Sequence, residues 1–257
     1  MTVLLRGRTE VVKVVSPGSP EPGSATDLRR YVAGLRSAGV PLPGDLCIET
    51  GAAGPAVRHR WIPGPTLLEL PGSRSREFRA AVDRIAGWVR ALEPTDMRLD
   101  TNLANFVLPG DGQLVCIDVL PPLLASARRP EASPSEQLIG GLRYDTHVTL
   151  CALAGYAARH LLRTLGPGDL PVTDRRRLTG LCPGHPDPAA LPATWFHSRL
   201  AIAGRALAGQ LTHQQALEAF SATSVLALQA APAVTQAAHV AAALALAGGL
   251  AGREDPG

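Results

Sequence analysis

The chain is expected to adopt an α+β fold in two lobes, because strands fill its first quarter and helices its second half. Short β-branched runs punctuated by Gly and Pro occupy the residues before Ile62. Apolar positions at helical spacing dominate after Pro122. Between them, a Pro-Gly segment and one long helix lead to a single β-hairpin. The expected division is a reduced antiparallel N-terminal lobe with one helix over residues 1–64, and a mainly helical C-terminal lobe over residues 65–257 that carries the hairpin at 98–122.

Val3–Leu5 and Glu10–Val15 read as two strands around Arg6-Gly7-Arg8. Lys13 lies mid-strand with valines on both sides. It is also the sole lysine, since the other 24 of the 25 basic residues are Arg. A chain that uses Arg wherever either base serves, yet keeps one Lys, points to a position needing a compact ammonium. The alternative is a chance Lys on an edge strand. Ser16–Ser24, rich in Pro, Gly and Ser, is a loop. Thr26 is then placed to cap a helix whose Leu28, Tyr31, Val32 and Leu35 recur at i, i+3, i+4 and i+7, ending at Gly39. This helix contains no Glu. Its nearest acids, Asp27 and Glu21, read first as solvated or dipole-complementing groups.

Two further strands, Leu46–Thr50 and Ala56–Trp61, flank the turn G-A-A-G-P and run into W-I-P-G-P-T-L, Trp61 to Leu67. Arg74–Leu92 follows as an amphipathic helix with Phe78, Val82, Ile85, Val89 and Leu92 on one face. The stretch from Arg98 to Pro122 then holds Asp100 and Asn105, a strand Phe106–Leu108, a D-G turn at Asp111 and Gly112, and a strand Leu114–Ile117 ending on Asp118. A D-G pair between apolar runs favours a hairpin because Gly accepts the positive φ of such turns. Asp100 and Asn105 thus enter one strand as Asp118 leaves the other, so all three are expected at one mouth. Asp118, at a strand end, is expected to have no packing duty. Two carboxylates and an amide suit a hard divalent cation that keeps its waters and leans on substrate phosphates.

Beyond the hairpin the expected helices are Glu136–Leu165 with a break near Tyr144, Asp174–Leu181, Pro188–Gln210, Thr212–Ala230 and Ala233–Ala251. The last is Ala-rich, but Pro232, Gln236 and His239 lie in or beside it and Ala contributes little transfer energy, so it reads as buried helix rather than a membrane span. His147 and His160 read as core or surface residues, Cys182 and His185 as at best half a metal site, and Asp145 as a helix cap. With 46% hydrophobic and 18% charged residues and a formal net charge of +3, the chain is expected to be a globular protein with no nucleic-acid or membrane field. Its four cysteines form no C-x-x-C pair, and no basic-then-apolar leader opens the sequence, so a cytoplasmic location is expected.

The D-x-x-x-x-N of Asp100 and Asn105, the hairpin and the following I-D of Asp118 resemble the catalytic core of the kinase-like phosphotransferases, closer to the aminoglycoside and choline kinase branch than to the protein kinases. The resemblance implies a two-lobed protein-kinase-like fold and ATP- and Mg²⁺-dependent transfer to a hydroxyl of a small molecule or of a peptide Ser/Thr. It assigns Asp100 as the base orienting the acceptor hydroxyl, Asn105 and Asp118 as Mg²⁺ ligands, and Lys13 as the phosphate anchor. It also places the linker backbone at Trp61 and Ile62 against the adenine. The chain departs from the family in four ways: Arg98 stands where His is usual, Val119-Leu120-Pro121-Pro122 follows Asp118, the helix lacks its Glu, and no G-x-G-x-x-G follows a strand. The small lobe is accordingly trimmed by a strand and its phosphate-covering loop, or the start codon lies upstream. The alternative reading is a catalytically silent kinase-like protein that binds nucleotide or a protein partner.

Overall fold

The computed structural model describes residues 2–6, 9–15, 23–51, 54–110, 112–130, 140–141, 143–165 and 172–181. The molecule is α+β, with a small antiparallel sheet, a two-stranded hairpin and helices. Its chain falls into two compact units, one drawn from residues 1–70 and 76–128, the other from 71–75 and 129 onward. The first unit therefore holds the sheet and the hairpin together, whereas the sequence reading draws its boundary at residue 64. Thr66 bridges Val107 of the hairpin, and Leu108 donates to the Pro65 carbonyl at 3.0 Å. These bonds tie the linker to the hairpin.

In the first unit, β1 (Thr2–Arg6), β2 (Glu10–Val15), β3 (Cys47–Gly51) and β4 (Gly54–Arg60) form an antiparallel sheet in the order β1-β2-β4-β3. Lys13 is paired with Leu4 on one side and Val57 on the other, so its strand is internal and the edge-strand alternative is excluded. Directly opposite residues of an antiparallel pair share a face, and side chains alternate along each strand. Val11, Lys13, Val57 and His59 accordingly line one face, and all four are buried.

Helix α1 (Ala25–Ser37) packs on β3 and β4 and buries the four residues its spacing singled out, Leu28, Tyr31, Val32 and Leu35. Its cap is Ser24, two residues before the expected Thr26. Ser24 Oγ accepts from the Asp27 amide at 3.0 Å while the Asp27 carboxylate accepts from the Ser24 amide at 3.2 Å, a reciprocal arrangement that satisfies two N-terminal donors. Thr26 has helical neighbours on both sides. Helix α2 (Ser75–Leu92) buries Phe78, Val82, Ile85, Val89 and Leu92 as expected, together with Trp88, whose ring stacks on Phe106 of the hairpin with centroids 6.3 Å apart.

The hairpin strands are shorter than expected: β5 is Phe106–Val107 and β6 is Val115–Cys116. The Leu108 N–H faces away from β6 and bonds the Pro65 carbonyl, and Pro109, the next residue that would turn toward β6, has no N–H to donate. Gly112 has φ +78° and its N–H bonds the Pro109 carbonyl at 3.0 Å, as a tight turn requires; Asp111 lies outside the described residues.

In the second unit, α3 (Thr146–Leu165) packs against α4 (Val172–Gly180) and against the 3-10 turn Gly72–Arg74. The expected break falls at Asp145, which precedes α3 and whose carbonyl accepts from Thr149 at 2.8 Å. His160 is buried on α3. The expected helices Pro188–Gln210, Thr212–Ala230 and Ala233–Ala251, with Cys182 and His185, lie outside the described residues. Among the described residues no helix is long and apolar enough to cross a membrane.

Candidate functional site

Lys13 reaches from the middle of the sheet to the end of the hairpin. Its Nζ donates to the Ile117 carbonyl at 2.8 Å and lies 3.2 Å from Asp118 Oδ1, joining residues more than a hundred positions apart in the chain. Its side chain is only 10% exposed and that of Asp118 25% exposed. An ammonium at such a depth needs a counter-charge and acceptors, since removing one partner of a buried pair leaves an uncompensated charge. Asp118 therefore does have a structural duty, contrary to the expectation drawn from its place at a strand end. Asp118 Oδ1 also accepts from the Leu120 amide at 3.2 Å. Both contacts fall on Oδ1.

The register of the hairpin sets the other side chains. Phe106 pairs with Cys116, and one step beyond, the Ile117 amide donates to the Asn105 carbonyl at 2.8 Å. Asn105 thus stands beside the strand end that presents Asp118. Asp100 is exposed, and its Oδ1 accepts from the Asn102 amide at 2.9 Å, which fixes the carboxylate against its own loop. Asn102 in turn accepts from the Ala104 amide at 3.1 Å and starts the 3-10 turn Leu103–Asn105. The loop is held by two successive local bonds of the kind Asx residues make.

Cys116 lies on β6 two residues before Asp118. Burial pushes its thiol up to about 12; the charges of Asp118 and Asp100 add to that, and a hydrogen bond to the Asp118 backbone and the charge of Lys13 oppose it. The thiol donates to the Asp118 carbonyl at 3.4 Å. It is protonated and inert at neutral pH.

Arg98, in the place where the resemblance expects His, serves the scaffold. Its guanidinium Nη1 donates to the carbonyls of Thr95 at 2.7 Å, Met97 at 2.8 Å and Leu92 at 3.3 Å, capping the C-terminus of α2. Its backbone amide bonds the Leu123 carbonyl at 2.8 Å and its carbonyl accepts from the buried Tyr31 hydroxyl at 2.7 Å. Arg98 so anchors the loop two residues before Asp100 to both helices.

Among the acids considered for Lys13, Asp27 is committed to its helix cap: the Ser24 side chain first, then the Ser24 backbone, hold its carboxyl below the usual carboxylate range. Glu21 lies outside the described residues. The partner of the lysine is Asp118. Trp61 and Ile62 follow β4 directly; the Trp61 amide bonds the Thr9 carbonyl at 2.8 Å and the residue is 38% exposed. The structure therefore gathers Lys13, Asp118 and Asn105 at one mouth of the hairpin with Asp100 on the adjoining loop, all within one unit.

Among the described residues no group of three or more His, Cys, Asp or Glu side chains is arranged to hold a metal. Asp118 and Asn105 are the residues here that could hold an oxygen-liganded cation such as Mg²⁺, which commonly takes few protein ligands and keeps water and phosphate in its other positions. The residue that the motif reading passed over is His59. Its signal was the alternation Val57-x-His59 running into Trp61, which puts it on the Lys13 face. No protein-family model matches this chain, and no curated protein matches its sequence.

Proposed function

We propose that the protein is an ATP- and Mg²⁺-dependent phosphotransferase of the two-lobed kinase-like kind, acting on a hydroxyl of a small molecule or a peptide Ser/Thr. The observation that supports it most is the buried sole lysine, held 3.2 Å from the acid that ends the hairpin. A structural ion pair would be served by Arg, which this chain uses elsewhere. An ammonium serves a site where the cation must turn from a carboxylate to phosphate oxygens.

In this reading, Mg²⁺-ATP supplies the phosphoryl group and the charge neutralisation of the leaving diphosphate. Lys13 Nζ binds the phosphate chain, relinquishing part of its contact with Asp118. Asp118 and Asn105 would hold the cation. Asp100, exposed and fixed through Asn102, orients the acceptor hydroxyl and takes its proton as the acceptor oxygen bonds to phosphorus and the bond to ADP breaks. Such chemistry is largely positioning and electrostatics, which these four side chains can provide.

One observation favours a second reading, a silent kinase-like nucleotide binder. Asp118 Oδ1 is spent on Lys13 and Leu120, and Asp100 Oδ1 on Asn102. Both readings require nucleotide binding. Thermal denaturation with Mg²⁺-ATP tests that shared step: at a hundredfold excess over Kd the native state gains about 2.7 kcal/mol, a rise of roughly 5–10 °C for a chain of this size. An unchanged midpoint at millimolar Mg²⁺-ATP removes both.

A further inference from the structure

His59 lies on β4 next to the lysine strand and is only 3% exposed. Its Nδ1 is 2.7 Å from the Arg60 carbonyl oxygen. A carbonyl only accepts, so Nδ1 must carry the proton and donate. In the neutral ring this fixes Nε2 as an acceptor. That Nε2 is buried and has no hydrogen-bond partner among the described residues. A buried acceptor left unpaired is costly and uncommon, and calls for an occupant.

The sheet register gives the occupant's surroundings. Val11 faces His59 and Lys13 faces Val57, so Lys13 and His59 are diagonal neighbours on one buried face, about 7–8 Å apart at the backbone. His59 also stands two residues before Trp61, where the chain enters the Pro-Gly segment. A ligand whose phosphates meet Lys13 and whose base lies along that segment passes His59.

Resting on the phosphotransferase reading, we infer that His59 Nε2 is a base-reading group that accepts a hydrogen bond from the exocyclic amine of adenine and so selects ATP over GTP. Guanine carries an acceptor oxygen where adenine carries its amine, and would set two lone pairs against each other. The Arg60 carbonyl prevents the neutral ring from adapting, because the other tautomer would set the Nδ1 lone pair against that oxygen.

The test is calorimetric titration with Mg²⁺-ATP, Mg²⁺-GTP and the Mg²⁺ complex of purine riboside triphosphate, which lacks the 6-amino group. The wild-type protein should prefer ATP to each of the others by about tenfold or more, the scale of one hydrogen bond to a buried acceptor. His59→Leu and His59→Phe should bring the ATP to purine riboside triphosphate ratio close to one while still binding both. A wild-type ratio near one overturns the inference, whether or not either variant folds. So does a ratio that survives both substitutions. In those two cases the nucleotide reading stands and His59 alone is reassigned; binding of none of the three nucleotides overturns both.

Discussion

Lys13 and Asp118 depend on each other, and substitutions at either have two effects. Asp118→Asn keeps an amide oxygen near Nζ but removes the counter-charge, so stability should fall by about 1–3 kcal/mol. Nucleotide affinity measured calorimetrically should fall as well. Affinity equal to wild type would remove Asp118 from the metal site and leave a purely structural pair. Lys13→Ala should lose nucleotide affinity that Lys13→Arg does not fully restore, because the planar guanidinium cannot replace a point charge in that space; an Arg variant with wild-type affinity contradicts this. The lysine was legible in the sequence because it stood alone among 24 arginines. Its partner was not, since the search for an acid looked to α1 and the acid proved to be the presumed metal ligand itself. Asp27 shows the reverse. Its depressed carboxyl stabilises the fold above its unfolded value and that contribution is lost as pH falls through the folded one. Ser24→Ala should therefore cost about 1 kcal/mol at neutral pH and lose part of that difference in acid, as urea denaturation at both pH values would show.

At the scale of elements, the periodic ones were legible and the ones made by tertiary bonds were not. The spacing of apolar residues places α1 and α2 within a residue or two, and short apolar runs bounded by Gly and Pro place all four strands of the sheet. The hairpin ladder is shorter than expected because Pro109, which would make the next hydrogen-bonded pair, has no N–H, while the Leu108 amide turns outward to the Pro65 carbonyl, a long-range bond that no local pattern records. The same contact gives the Pro-Gly linker its reason. Gly64 has φ +138°, and a Cβ there would lie 3.0 Å from the Leu108 carbonyl oxygen and 3.1 Å from Pro109 Cα, both backbone atoms that cannot turn aside. Gly64→Ala should thus destabilise by about 1–3 kcal/mol and separate the linker from the hairpin. A variant as stable as wild type in chemical denaturation would show that the close approach is not needed. Arg98 belongs to this scale too. Read as a departure from a catalytic pattern, it is the C-terminal cap of α2.

For the whole molecule, the sequence gives the α+β class through the order of its elements, and the sheet, α2 and the hairpin join in one unit through bonds between residues far apart in the chain. Asp100 is the group whose role depends most on the phosphotransferase reading, since it is exposed and its Oδ1 accepts from the Asn102 amide of its own loop. ADP release with a panel of alcohols and Ser/Thr peptides, measured on wild type and Asp100→Asn alongside Mg²⁺-ATP affinity, addresses that reading directly. The account predicts measurable release in the wild type, a fall of about 10²–10⁴-fold in the variant, and unchanged affinity. Equal and substantial release from both would contradict the role of Asp100, and equal, negligible release across the panel would identify a nucleotide binder without turnover.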